Sequence, residues 1–204
     1  MFYGNQEQLR RYHQGYLSRL IPKRPELPVL DLGCGFGAFM ELVREQGLSV
    51  IGVDCVDDAA DSCRSMGFEV FKDDVHHFLE GKHGAYSAVF CSHLIEHFEY
   101  GEACRLLKMI AESLAPGGRT VVVTPNPASL EVAEYFWLDP THVRPYPLQL
   151  LSSMVEDAGL TVVESGQQSP SGQPRRSIPR RLLLKLVLGR HYCTLDSFVV
   201  AVKS

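Results

Sequence analysis

An acid at position 31, glycines at 33, 35 and 37, a second acid at 54 and an Asp-Val pair at 74–75 are residues whose types and order could hold a ligand. The run Val29-Leu30-Asp31-Leu32 leads into Gly33-Cys34-Gly35-Phe36-Gly37. Glycines at the carboxyl end of a strand let backbone approach a ligand closely. Gly33, Gly35 and Ala38 also satisfy the G-x-G-x-x-A form of the dinucleotide fingerprint, so the loop alone leaves two ligand classes open. Asp31 bears on that choice, because an acid two residues before the first glycine would repel a pyrophosphate. It suits a ligand carrying an ammonium, bound directly or through water. Asp54 closes the apolar run Val50-Ile51-Gly52-Val53, 21 residues after Gly33 (54 minus 33), where a ribose-binding carboxylate is expected. A carboxylate can accept from both adjacent ribose hydroxyls; the alternative for an acid at a strand end is a helix N-cap.

Two further segments carry chemistry. Cys91-Ser92-His93-Leu94-Ile95-Glu96-His97-Phe98 follows a predicted strand and contains an HxxEH pattern, which also occurs in inverted zinc-protease motifs. No second helix in the chain offers an obvious third ligand, so that reading ranks low. Phe136-Trp137-Leu138-Asp139-Pro140-Thr141-His142-Val143-Arg144-Pro145-Tyr146 combines aromatics, a histidine, an arginine and an acid between prolines. Such a loop is stiff and rich in hydrogen-bonding groups. Trp137 and Tyr146 could equally pack the loop down, and His142 could serve only the backbone.

The elements that must position these residues alternate, the mark of a parallel sheet covered on both faces. Strands are expected at Val29–Leu32, Ser49–Val53, Glu69–Phe71, Ala85–Cys91, Arg119–Thr124, Leu160–Ser165 and Ser197–Val202. Helices are expected at Phe39–Gln46 and at Ala103–Leu114, the latter stopped by Pro116-Gly117-Gly118. Gln6–Leu20 carries Leu9, Tyr12, His13, Tyr16, Leu17 and Leu20 largely on one helical face. It reads as an amphipathic arm within residues 1–25 that packs on the core or covers the site.

The chain has 204 residues, 45% of them hydrophobic, enough for one well-buried core, so residues 1–204 are expected to form a single domain. A net charge of -4 gives no general attraction to nucleic acid. The longest apolar run, near Leu182–Leu188, is interrupted by Lys185 and is far too short to span a bilayer. The N-terminal residues lack a secretory pattern, which points to the cytoplasm. Six cysteines without a CxxC pair argue against a zinc cluster or a disulfide framework, and most are expected in the interior. Residues 166–191 form a basic insertion before the last strand, with arginines or lysine at 175, 176, 180, 181, 185 and 190 and no acid. The default is a solvated helix, with 175–190 also a candidate for contact with an anionic surface.

Asp31 with Gly33, Gly35 and Gly37, then Asp54, Asp74-Val75, Glu96-His97 and Leu114-Ala115-Pro116-Gly117-Gly118 together resemble the class I S-adenosylmethionine-dependent methyltransferases, of the type 11/12 kind, over roughly residues 28 to 165. The resemblance implies a Rossmann-like α/β fold, a doubly wound seven-stranded sheet of order 3-2-1-4-5-7-6 with the last strand antiparallel. It implies S-adenosylmethionine as cofactor and S-adenosylhomocysteine as product, with Asp31, Gly33, Cys34, Gly35, Gly37, Asp54, Cys55, Asp74, Val75, Ser92 and His93 as the cofactor-binding set. Asp74 would meet the adenine amino group, Val75 would supply a backbone amide, and Asp54 would hold the ribose. One departure is Ser87, where many relatives have an acid.

The segment at 93–97 also resembles ubiquinone-biosynthesis O-methyltransferases, whose E-x-x-E-H arrangement can hold a divalent metal; here His93 replaces the first acid. His93, Glu96 and His97 would suit a transition metal better than magnesium. The preferred reading assigns no metal, with His93 beside the sulfonium and Glu96 and His97 closing a helix start. Asp139 to Tyr146 resembles the D-P-T-H-x-R-P-[YF] stretch of bacterial methyltransferases acting on sugars of surface glycans. A hydroxyl acceptor needs a base, for which His142 is the first candidate, His97 or His93 the second, with Asp139 orienting it; Trp137, Arg144 and Tyr146 would bind substrate. The partner is then a glycan or small-molecule acceptor, and the chain a monomer or homodimer. The alternatives are an aromatic, quinone-like or carboxylate acceptor, or a cofactor-binding partner protein without transferase activity.

Overall fold

The computed structural model describes residues 6–20, 24–168 and 194–204. Its centre is one seven-stranded sheet: β1 (Val29–Leu32), β2 (Val50–Asp54), β3 (Glu69–Lys72), β4 (Tyr86–Ser92), β5 (Leu114–Pro125), β6 (Thr161–Gln168) and β7 (Asp196–Val202). The order is β3-β2-β1-β4-β5-β7-β6, and β7 runs antiparallel to both β5 and β6. This is the Rossmann-like order that the motifs imply.

Side-chain alternation along the strands divides the core in two. Leu30 and Leu32 of β1 and Val89 and Cys91 of β4 face one layer, covered by α4 (Val75–Leu79), α5 (Tyr100–Ser113) and α6 (Leu148–Asp157). Val29, Ala88 and Phe90 face the other, covered by α1 (Gln6–Leu20), α2 (Ala38–Glu45) and α3 (Asp57–Ser65). Asp31 therefore shares the face of Val29, beneath α1 and α2. On that side Tyr12, Tyr16, Leu17 and Leu20 of α1 are buried.

Several boundaries move for identifiable reasons. α5 begins three residues earlier than expected because Glu99 and Glu102 form a reciprocal capping box. It ends at Ser113, and Pro116-Gly117-Gly118 lies within the first residues of β5, beside an irregularity in its pairing with β4. Ser87 is buried and its hydroxyl donates to the Leu27 carbonyl at 2.8 Å. Of the cysteines, 34, 63 and 91 are buried, 104 is half-buried and 55 is exposed, all with free thiols. Cys193 and most of the basic insertion at 166–191, including 175–190, lie outside the described residues.

Candidate active site

The carboxyl ends of β1, β2, β4 and β5 converge where the strand order reverses, the usual binding crevice of an open α/β sheet. The glycine loop there is left-handed three times over, with φ of 71° at Gly33, 51° at Gly35 and 82° at Gly37. A Cβ at Gly37 would come within 2.9 Å of the Cys63 sulfur, whereas one at Gly35 would meet nothing within 4 Å. The loop is thus packed from behind and open in front. Asp54 holds it: Oδ2 accepts from the Gly35 amide at 2.8 Å and Oδ1 from the Val56 amide at 2.9 Å. Cys34 is buried behind the loop, and burial raises its thiol pKa, so it stays protonated. Asp74 is the N-cap of α4, its Oδ1 accepting from the His76 and His77 amides. Val75 is buried at the start of that helix.

Asp31 is 3% exposed and its Oδ2 has no hydrogen-bond partner. Burial, then the nearby Asp54 charge, push its pKa up to about 8. A buried carboxyl with an idle oxygen is costly unless something pairs with it. The Ser92 hydroxyl, at the end of β4, is likewise buried without a partner.

After β4 the chain turns through His93, whose φ of 52° is rare for a residue with a Cβ. Its Nε2 lies 3.4 Å from Asp196 Oδ1 and 3.3 Å from the Tyr12 hydroxyl, and its Nδ1 lies 3.4 Å from Glu96 Oε1. Burial opposes charge on this ring, but Asp196 and Glu96 prevail and raise its pKa to about 9. A ring held protonated between two carboxylates is a weaker general base than a neutral one. Glu96 and His97 sit in a 3-10 turn, Ile95–His97, and do not close the start of α5 as expected. Because that segment is not a helix, His93 and His97 do not share the helical face an HxxEH zinc site requires.

The loop after β5 is drawn onto this turn. The Val143 and Arg144 amides both donate to the Glu96 carbonyl, at 2.9 and 3.3 Å. The His142 and His97 rings lie 4.8 Å apart, centroid to centroid. His142 Nδ1 is 2.7 Å from the Phe136 carbonyl and His97 Nδ1 is 3.2 Å from the Thr141 carbonyl. A carbonyl only accepts, so these partners assign the proton to Nδ1 in both rings and leave Nε2 as the basic nitrogen. Asp139 does not touch the His142 ring, contrary to expectation. It accepts from the Thr141 hydroxyl at 2.5 Å and the Thr141 amide at 2.9 Å, and these bonds lower its pKa. Thr141 Oγ1 is in turn 3.0 Å from His97 Nδ1, so Asp139 supports His97 instead. Glu96, His97 and His142 each offer a ligand atom within 4.8 Å of the others, a different trio from the one at 93, 96 and 97.

Trp137 is 64% exposed and lies edge-on to Phe136 at 5.0 Å, while Phe136 lies 4.5 Å from His142. Arg144 sits over the Tyr100 and Tyr146 rings. Tyr146 itself is fully buried and its hydroxyl donates to the Phe98 carbonyl at 2.8 Å. It roots the loop in the core, which corrects the expectation that it binds substrate.

Residues 5–165 match a family model described as a methyltransferase domain. The chain belongs to that methyltransferase family. A crystal structure of an S-adenosylmethionine-dependent methyltransferase from Archaeoglobus fulgidus superposes with a TM-score of 0.82 at 26% identity, over 98% of this chain and 95% of that one. A ubiquinone biosynthesis O-methyltransferase of Idiomarina loihiensis is 28% identical over 106 residues, 48% of this chain and 42% of the relative. A "Probable S-adenosylmethionine-dependent methyltransferase" of Mycobacterium tuberculosis is 28% identical over 155 residues, 75% of this chain and 56% of the relative. The methyltransferase thus spans about half the length of these curated relatives.

The residues present fit S-adenosylmethionine, the cofactor named for the Archaeoglobus fulgidus and Mycobacterium tuberculosis proteins. The idle Asp31 oxygen suits an ammonium, the space before Gly35 admits backbone approach, and Asp54 is fixed with lone pairs to spare. Asp74 keeps Oδ2 outside its cap bonds. Cys55 is exposed beside Asp54. Nothing in the local spacing of Asp196, Tyr12 or Thr141 marks them as site residues, because each acts across a long separation or through a neighbour. No helix among the described residues is long and apolar enough to cross a membrane.

Proposed function

We propose that the methyltransferase transfers its methyl group to a hydroxyl of a sugar or glycan acceptor, with His142 as the base. S-adenosylmethionine supplies, when bound, an electrophilic methyl on a sulfonium whose charge disappears on transfer. Asp31 receives the ammonium, Asp54 the ribose, Asp74 the adenine edge, and the Gly33–Gly37 loop lies under the amino-acid part. His142, fixed through Nδ1 by the Phe136 carbonyl, presents Nε2 to the acceptor hydroxyl and takes its proton. His97, supported by Thr141 and Asp139, stands beside it and can pass that proton to solvent. Trp137 offers an exposed ring face on which the apolar face of a sugar can lie, and Arg144 offers donors to its oxygens.

The observation that carries this reading is the pair of histidines 4.8 Å apart, each with its Nδ1 committed to an oxygen of the same loop. The test is turnover to S-adenosylhomocysteine with a panel of nucleotide sugars and glycans, with and without chelator. His142→Ala is expected to lower kcat by roughly 10²–10⁴-fold, the usual range for losing a general base. Full activity in that variant would remove His142 from catalysis.

A second reading has its own support. Two imidazoles and the Glu96 carboxylate, with ligand atoms within 4.8 Å of one another, form a donor set suited to a transition metal. It goes with the relatives named as ubiquinone biosynthesis O-methyltransferases and with a smaller aromatic acceptor. Complete loss of turnover in chelator, restored by a divalent ion, would select it over the histidine base.

A further inference from the structure

Five side chains from four separate segments meet around His93. Tyr12 comes from α1, His93 and Glu96 from the turn after β4, Thr124 from the end of β5 and Asp196 from the start of β7. The Tyr12 hydroxyl donates to Asp196 Oδ2 at 3.0 Å, and Tyr16 donates to Tyr12 at 3.4 Å. Asp196 Oδ1 lies 3.4 Å from one nitrogen of His93, and Glu96 Oε1 lies 3.4 Å from the other. The Thr124 hydroxyl donates to Glu96 Oε2 at 3.1 Å. Glu96 is fully buried; its Oε1 has no hydrogen-bond partner, so the 3.4 Å ion-pair contact to His93 is what offsets the burial of that oxygen. The Glu96 backbone carbonyl is in turn the seat of the Val143 and Arg144 amides. The contacts thus run without a gap from the N-terminal helix, through His93, to the loop that carries His142.

We infer that Asp196 and Tyr12 are positioning residues that clasp α1 to His93 and thereby fix, through Glu96, the seat of the acceptor loop. Its catalytic meaning rests on the acceptor-side reading above, but the coupling itself needs no acceptor. His93 is the central link. Its ring is gripped from both sides, by Asp196 and by Glu96, which also explains how a residue with a Cβ is kept in left-handed backbone. Releasing Asp196 frees one side of the ring, loosens its hold on Glu96 Oε1 and lets the Ile95–His97 turn shift under Val143 and Arg144. Tyr12 contributes a neutral hydroxyl to the same junction, so its removal should act in the same direction and less strongly.

The clasp predicts a specific pattern of amide exchange. In Asp196→Asn, amides of α1 together with those of Val143 and Arg144 should exchange about tenfold faster, the size of losing a hydrogen bond to a charged group. Amides within β1 and α5 should keep their rates. The His142 ring cross-peak in a proton–carbon spectrum should move in the same variant, although His142 Nδ1 is held by the Phe136 carbonyl and not by position 196. Tyr12→Phe should show the same pattern at smaller amplitude, and it decides alone if Asp196→Asn fails to fold. Faster exchange confined to α1, with Val143, Arg144 and the His142 resonance unchanged, would overturn the coupling, even if His142 proved to be the base. A failed acceptor panel would overturn the proposed acceptor and leave the clasp standing.

Discussion

The proposed cofactor half of this methyltransferase and its proposed acceptor half are built in opposite ways. The cofactor half takes its shape from backbone: three glycines with positive φ, a strand-end acid that binds two amides, and a helix N-cap, all within neighbouring elements. The acceptor half is a stiff loop whose position depends on partners elsewhere in the chain. Its backbone hangs on the Glu96 carbonyl, its root is the buried Tyr146, and its histidines are oriented by carbonyls. Local geometry suffices to bind an invariant cofactor, whereas an acceptor site is made by docking a variable loop on a fixed frame.

If that division holds, damage to the root of the loop should cost the most. Tyr146→Ala removes a fully buried aromatic ring and its bond to Phe98, and is expected to lower stability by about 3–5 kcal/mol in denaturant unfolding. Tyr146→Phe should cost about 1 kcal/mol, leaving acceptor KM unchanged. A Tyr146→Phe variant that lost acceptor binding at normal stability would return this residue to the substrate site and blur the division.

Next comes the cofactor loop. Gly37→Ala combines a φ of 82° with a Cβ 2.9 Å from the Cys63 sulfur, and should cost about 1–3 kcal/mol of stability while weakening S-adenosylhomocysteine binding by calorimetry. Gly35→Ala has the same backbone penalty but open space before it, so its loss should appear mainly in binding. Equal effects of the two on stability and affinity would show that the loop is not open in front.

The two halves also differ in how much of them could be read from the chain. Alternating apolar runs fixed the strands to within a few residues, except that β5 starts at Leu114, because Pro116-Gly117-Gly118 continues a strand where it was read as a stop after a helix. Asp54 and the glycines are recognisable because their arrangement depends on spacing along one or two adjacent elements. Tyr146 was misread because an aromatic in a polar loop looks the same whether it faces inward or outward, and only the Phe98 carbonyl 48 residues away decides. Asp139 was tied to the wrong histidine for a related reason: Thr141, between them in the chain, redirects it to His97. Asp196, at the start of the antiparallel strand, lies 184 residues from Tyr12, and no local pattern announces that pairing.

A smaller effect is expected at the exposed rim. Trp137→Ala should change stability by no more than about 0.5 kcal/mol, since the ring is mostly in solvent. Acceptor KM should rise about two- to tenfold, the worth of an aromatic contact, with kcat and cofactor affinity unchanged. An unchanged KM across every turned-over acceptor would leave Trp137 a surface residue and place acceptor selection elsewhere on the loop.

The most diagnostic effect lies in the pH dependence of Asp31. Its folded pKa of about 8 exceeds the ordinary 3.8, so the folded protein binds a proton that the unfolded chain releases. The stabilisation from this group is complete below about pH 4 and is lost as pH rises through about 8. Without cofactor, stability should therefore carry a declining component between those limits, and Asp31→Asn should abolish it. Binding a ligand ammonium favours the ionised carboxylate, so S-adenosylmethionine binding near pH 7 should release a proton and its affinity should rise with pH up to about 8. Calorimetry in two buffers of different ionisation enthalpy measures that proton directly. If the released proton persists in Asp31→Asn, the ammonium is met by another group and the cofactor half is not organised around Asp31.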